Sequence, residues 1–114
     1  GPGNYINLSG PHMLSAMGRC FTFDHSADGF ARGEGSGVFY VKTEAIMSED
    51  SFATVIGACL NQDGRSASMT APNGPSQQDC IRGSMQEAGR TANEVTCAEC
   101  HGTGTALGDA IEVD

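Results

Sequence analysis

Apolar positions change period several times along the chain, and each change marks an element. Val38-Phe39-Tyr40-Val41 is a short β-rich run and predicts a strand. Phe52 to Leu60 is apolar and β-branched in its first half and predicts a second; Val95 to Cys100 reads as a third. Between the first two, Thr43 to Asp50 fits one short helix with Thr43 as a weak cap. Cys80, Ile81, Ser84, Met85 and Ala88 recur at 3.6-residue spacing and predict one face of a longer helix. Ser76 is read as its N-cap, Asp79 as a capping-box acid and Gly89 as its stop. Gly108-Asp109 opens a last helix that barely begins before Asp114, an ending that reads as a truncation.

The remaining segments read as ordered connections. Asn4 to Gly18 is turn-rich and poorly periodic, and Gly1-Pro2-Gly3 looks like a cloning scar. Arg19 to Gly37 reads as an irregular segment that packs closely, with Gly33-Glu34-Gly35 as a tight packed turn. Asn61-Gln62-Asp63-Gly64 is a turn signal, and Arg65 to Pro75, ending Asn73-Gly74-Pro75, should be an ordered loop. The order strand, short helix, strand, helix, strand predicts an α/β chain with a mixed sheet flanked by helices.

Composition narrows the function classes. A net charge of −8 opposes nucleic acid as a partner and opposes a polybasic membrane anchor. No apolar run approaches the roughly 18 residues of a membrane span. The five cysteines, Cys20, Cys59, Cys80, Cys97 and Cys100, are odd in number and irregular in spacing. They make a poor disulfide framework and favour free thiols in an intracellular setting, cytoplasmic or organellar.

The stretch Cys97-Ala98-Glu99-Cys100-His101-Gly102-Thr103-Gly104-Thr105 carries the most chemistry. Its first five residues match the attachment motif for c-type haem. Cys97, Cys100 and His101 also offer zinc ligands, although positions 97 and 100 of a strand face opposite ways. The third reading is a glycine loop at a strand end, with His101 as a functional imidazole and two threonine hydroxyls beside it. Gly33-Glu34-Gly35-Ser36-Gly37 lacks the Lys-Ser/Thr pair of a phosphate loop.

Four strings together decide among these readings. They are Gly18-Arg19-Cys20-Phe21-Thr22-Phe23-Asp24 with Ala27-Asp28-Gly29-Phe30-Ala31-Arg32-Gly33-Glu34-Gly35; Asn61-Gln62-Asp63-Gly64-Arg65; Thr70-Ala71-Pro72-Asn73-Gly74-Pro75; and Glu99-Cys100-His101-Gly102-Thr103-Gly104-Thr105-Ala106-Leu107-Gly108-Asp109. In this order they resemble the β-ketoacyl synthase domain of type I modular polyketide synthases. The resemblance covers residues 13–114, with 1–12 as a scar and a poorly matched segment.

The resemblance implies part of a thiolase-like layered α/β fold and decarboxylative Claisen condensation of acyl and malonyl thioesters. His101 matches the first of the family's two catalytic histidines. Thr103 and Thr105 match the threonines that hold the phosphopantetheine arm of acyl carrier protein. Glu112 matches a buried acid, and Asp109 and Glu34 are expected to be structural near the site. No metal or redox cofactor is implied. The family's nucleophile sits in an Ala-Cys-Ser setting that none of the five cysteines has. The isolated chain is therefore expected to be inactive, and apolar strands cut out of a layered fold are expected to make it self-associate; the rival reading is a non-catalytic structural or binding fragment.

Overall fold

The computed structural model describes residues 2–43, 51–66 and 71–114. Three α-helices and one short turn of 3₁₀-helix order them: α1 (Pro2–Ser9), α2 (Gly74–Ala88), the 3₁₀ turn Ala92–Glu94, and α3 (Gly108–Val113). Helix α1 lies where turns are expected. Proline fits a first helical turn, since its missing N–H has no partner there and its φ is already helical. The helix unwinds after Ser9, whose hydroxyl donates back to the Tyr5 carbonyl at 2.7 Å. The Arg32 guanidinium lies 5.2 Å from the Tyr5 ring centroid, a cation–π contact to the chain beyond.

Helix α2 starts two residues before the expected cap. Asn73 is the N-cap, its side-chain oxygen accepting from the Ser76 amide at 3.2 Å. Pro75 sits in the first turn, so the Asn-Gly-Pro string sets the start. Ser76 instead donates its hydroxyl to the Gln62 carbonyl at 2.9 Å, and Asp79 accepts from Arg82 at 3.0 Å. Gly89 ends the helix in the left-handed conformation, as expected. On the predicted apolar face, Cys80, Ser84, Met85 and Ala88 are half-buried while Ile81 is 56% exposed. The face turned inward is centred on Gly83 and Ser84.

The three predicted strands do not form as strands. Among the described residues the only β pairing is an isolated parallel bridge, Leu14 with Phe30. Val38 is 97% exposed and Phe52 fully exposed, and Val95 is exposed as well. A β-rich run becomes a strand only when a neighbour takes its backbone N–H and C=O groups. No described segment pairs with 38–41 or 95–100. Residues 57–63 are held by α2 through side chains instead: the Ala58 amide donates to Glu87 at 2.7 Å, and Asn61 donates to the Ser76 carbonyl at 2.6 Å. The Gly33–Gly35 turn is also open rather than packed, with nothing near the positions of added Cβ atoms. The helix expected from Thr43 to Asp50 falls almost wholly outside the described residues.

Packing is correspondingly loose. No hydrophobic side chain among the described residues is buried, and the accessible surface is 9615 Å². A compact monomer of 11.8 kDa exposes about 5,900 Å². The radius of gyration is 17.4 Å, against about 13 Å for a compact chain of this length.

Two local structures lend themselves to measurement. Asn73 also donates to the carbonyls of Asp63 at 2.8 Å and Arg65 at 3.3 Å, so it caps α2 and ties it to the 63–65 segment. Asn73→Ala is expected to remove about 1 kcal/mol or more of helix stability, read as a lower α2 melting midpoint by far-UV circular dichroism.

Glu94 accepts from the Thr91 amide and hydroxyl and from Arg90, at 2.8, 2.9 and 2.8 Å. The Thr91 amide, then Arg90 and the Thr91 hydroxyl, lower its pKa from 4.5 to about 2. A depressed carboxylate stabilises the folded state above its unfolded pKa and stops doing so as pH falls through the folded one. The 91–94 turn should therefore loosen between pH 4.5 and about 2. NMR titration of the Glu94 carboxyl and the Thr91 amide checks this, and Glu94→Gln should abolish the transition.

Candidate functional site

The loop 101–107 feeds directly into α3, and two acids of α3 build it. Asp109 and Glu112 are three residues apart and share one helix face. Asp109 accepts from the Phe23 amide at 2.7 Å with one carboxylate oxygen and from the Gly104 amide at 2.9 Å with the other. It is 7% exposed, the only buried charged residue among those described. Glu112 accepts from the His101 amide with one oxygen and from the Gly102 amide at 2.8 Å with the other. Both carboxylates are thus taken up by backbone N–H groups.

The carbonyl side of the loop is held by residues 22–29. Thr22 donates its hydroxyl to the Gly102 carbonyl at 2.5 Å, and the Gly29 amide donates to the Gly104 carbonyl at 3.0 Å. Gly104 has φ of +74°, and a Cβ there would lie 2.7 Å from the Phe21 amide nitrogen. Gly102 has φ of +52°, with a Cβ position 2.7 Å from Thr22 Cγ2. Only glycine combines that backbone with that approach.

The threonines between and after these glycines bring their hydroxyls together. The Thr103 and Thr105 hydroxyls lie 3.4 Å apart. Thr105 also starts α3, its hydroxyl accepting from the Gly108 amide at 3.2 Å and its carbonyl from the Asp109 amide at 3.3 Å. His101, Thr103, Thr105 and Glu112 line one cavity of about 510 Å³. That volume is within the range of small-ligand sites. Asp63, Pro72 and Gln77 form the wall on the α2 side, and Pro11, His12 and Met13 the wall on the N-terminal side.

Four expected site residues are thus brought together: His101, Thr103, Thr105 and Glu112. Asp109 lies beneath them and lines a second cavity of about 370 Å³ with Phe23, Asp24 and His25. Hydrogen bonds from the Ser26 hydroxyl and amide hold the Asp24 carboxyl below the usual range. Glu34 is not brought in: it is exposed in the open 33–37 segment and lines neither cavity. His12, Met13, Asp63 and Pro72 carry no role in the sequence reading. Asp63 stands in a turn signal and Pro72 in a loop string, but nothing in either says that the chain returns to His101.

The arrangement offers hydroxyls and an imidazole to a ligand, while its two carboxylates are already bonded internally. A neutral imidazole provides one donor and one acceptor. Among the described residues no group of three His, Cys, Asp or Glu side chains is placed to hold a metal. All five cysteines are free thiols, Cys97 exposed and Cys100 half-buried. No described helix is long and apolar enough to cross a membrane.

Comparison with known proteins is consistent along the whole chain. Residues 1–46 match the family model described as the N-terminal domain of beta-ketoacyl synthase, and residues 52–114 match the C-terminal domain. The chain is 45% identical over 116 aligned residues to a phenolphthiocerol/phthiocerol polyketide synthase of Mycobacterium tuberculosis, covering 99% of this chain and 5% of that protein. It is 40% identical to polyketide synthase PksN of Bacillus subtilis, covering 99% of this chain and 2% of that protein. Among solved structures, a ketosynthase from module 6 of the bacillaene synthase of Bacillus subtilis aligns with a TM-score of 0.78 and 33% identity. That alignment covers 98% of this chain and 21% of the ketosynthase. The chain therefore spans about a fifth of a solved ketosynthase and a twentieth or less of the curated relatives named here. Nothing in these matches supports the haem or zinc reading.

The loop architecture predicts its own weak point. Asp109→Ala should leave the Phe23 and Gly104 amides without acceptors, at about 1.5–3 kcal/mol for each hydrogen bond to a charged group. Asp109→Asn, with one carbonyl oxygen, should retain one of the two. Amide hydrogen exchange is expected to speed up at both positions in the alanine variant and at one in the asparagine variant.

Proposed function

The chain belongs to the β-ketoacyl synthase family, and on that premise we propose that its His101 loop is the part of a polyketide ketosynthase that receives a phosphopantetheine-borne malonyl thioester. Its fold is a part of the thiolase-like α/β architecture of ketosynthases. The observation that carries the proposal is the convergence of His101, Thr103 and Thr105 on one cavity above a loop held by Asp109 and Glu112.

In this reading the Thr103 and Thr105 hydroxyls bind the polar pantetheine arm and set its depth. His101 donates a hydrogen bond to the thioester carbonyl. As carbon dioxide leaves, negative charge gathers on that oxygen, and a donor already in place stabilises it without reorganisation. The carboxylates stay paired with backbone amides, which keeps unpaired negative charge away from the enolate. The proposed chemistry calls for no metal and no redox cofactor, and the partner is acyl carrier protein. Asp109 and Glu112 are positioning residues.

Malonyl-pantetheine added to the labelled chain should shift the NMR signals of His101, Thr103 and Thr105 first. A Thr103→Ala/Thr105→Ala variant should weaken binding by about tenfold, the loss of roughly 1.4 kcal/mol expected for one or two hydrogen bonds. Shifts confined to other regions, or unchanged affinity in the double variant, would overturn the assignment. Supplied with acyl and malonyl thioesters, the chain alone is expected to yield no condensed product by mass spectrometry, since no cysteine has the nucleophile's setting.

A further inference from the structure

Helix α2 and the extended segment 57–60 meet over two cysteines that the proposed chemistry does not use. The Cys80 thiol donates to the Cys59 carbonyl at 3.1 Å. Cys59 Sγ lies 2.7 Å from the position a Cβ on Gly83 would take, three residues along α2 from Cys80. Side chains three apart on a helix are neighbours, so both sulfurs occupy one patch of this interface. The missing side chain at Gly83 lets the Cys59 thiol sit there.

We propose that Cys59 and Cys80 form an oxidisable pair, closing to a disulfide that latches α2 onto the segment carrying Asp63. The oxidant is a peroxide. One thiolate attacks a peroxide oxygen, the O–O bond breaks, and the departing oxygen leaves as water once protonated, giving a sulfenic acid. The second thiol attacks that sulfur, the S–O bond breaks, and the hydroxyl leaves as a second water. Two thiols lose two electrons, and hydrogen peroxide is reduced to two waters.

The surroundings divide the roles of the two thiols. Burial, followed by the hydrogen bond shared with the Cys80 thiol, pushes the Cys59 pKa up, so Cys59 is the poorer thiolate and takes the second, resolving step while Cys80 meets the peroxide. The other cysteines lie elsewhere: Cys20 accepts from the Ala31 amide at 3.1 Å, and Cys97 is exposed in the 95–100 segment. The latch has a structural consequence. Asp63 lines the cavity of His101, and α2 supplies Gln77 to the same wall. Oxidation would fix the two parts of that wall to each other.

The folded chain is treated with one equivalent of hydrogen peroxide, alkylated, digested and mapped by mass spectrometry. The expected product is a Cys59–Cys80 crosslinked peptide, with Cys20, Cys97 and Cys100 alkylated. In urea the preference should move to Cys97–Cys100, whose loop is far shorter and easier to close. A Cys20→Ser/Cys97→Ser/Cys100→Ser variant retains the pair and should lose the mass of two hydrogens, whereas adding Cys80→Ser should abolish the loss. Two outcomes overturn the proposal: a folded chain with the urea pattern of crosslinks, or a triple-serine variant that retains both thiols or oxidises them only to sulfinic acid.

Discussion

One carboxylate organises this molecule. Asp109 is on α3, yet its two oxygens reach the amides of Phe23 and Gly104, joining segments 86 residues apart in sequence with those only five apart. Because it is nearly buried, its charge needs both donors. Meeting that need places the 20–30 segment under the glycine loop. Glu112, one turn later, repeats the arrangement for His101 and Gly102. The apolar side chains supply no comparable order, since none is buried among the described residues. The site is a polar construction, held by side chains bonded to backbone.

That polar construction also explains how the chain retains local structure with so much surface exposed. Asn61, Asn73, Ser76 and Glu87 tie residues 58–65 to α2 with the bonds that a neighbouring strand would otherwise provide. Such bonds fix position without covering apolar area. Val38 to Val41, Phe52 and Leu60 keep their hydrophobic faces in water. In the family fold these runs belong to a layered α/β body several times longer than this chain.

The legible and the hidden parts of the structure separate on physical grounds. Helix α2, its Gly89 stop and the start of α3 are readable because capping and periodicity are local properties. The convergence of His101, Thr103 and Thr105 is readable because all three belong to one short string whose resemblance is specific. The strands are legible as residue preference and absent as pairing, since pairing depends on a neighbour that no local run encodes. Asn73 displaces Ser76 as the cap because the following Gly-Pro already shapes a first turn. His12, Met13 and Asp63 escape a sequence reading as cavity walls because they reach His101 through long-range return of the chain. Glu34 is assigned by resemblance and stands in an open segment instead.

The alternation in Gly102-Thr103-Gly104-Thr105 divides the loop into two kinds of position. At the even numbers the backbone is left-handed and pressed against Phe21 and Thr22, so any side chain collides. At the odd numbers the side chains line a cavity, and only Thr105 has a second duty, at the start of α3. A substitution at 103 therefore alters the cavity lining while the loop keeps its shape, and 105 tolerates only residues that still accept from the Gly108 amide. The intervening glycines act as a fixed frame, and side-chain change is confined to the positions between and after them.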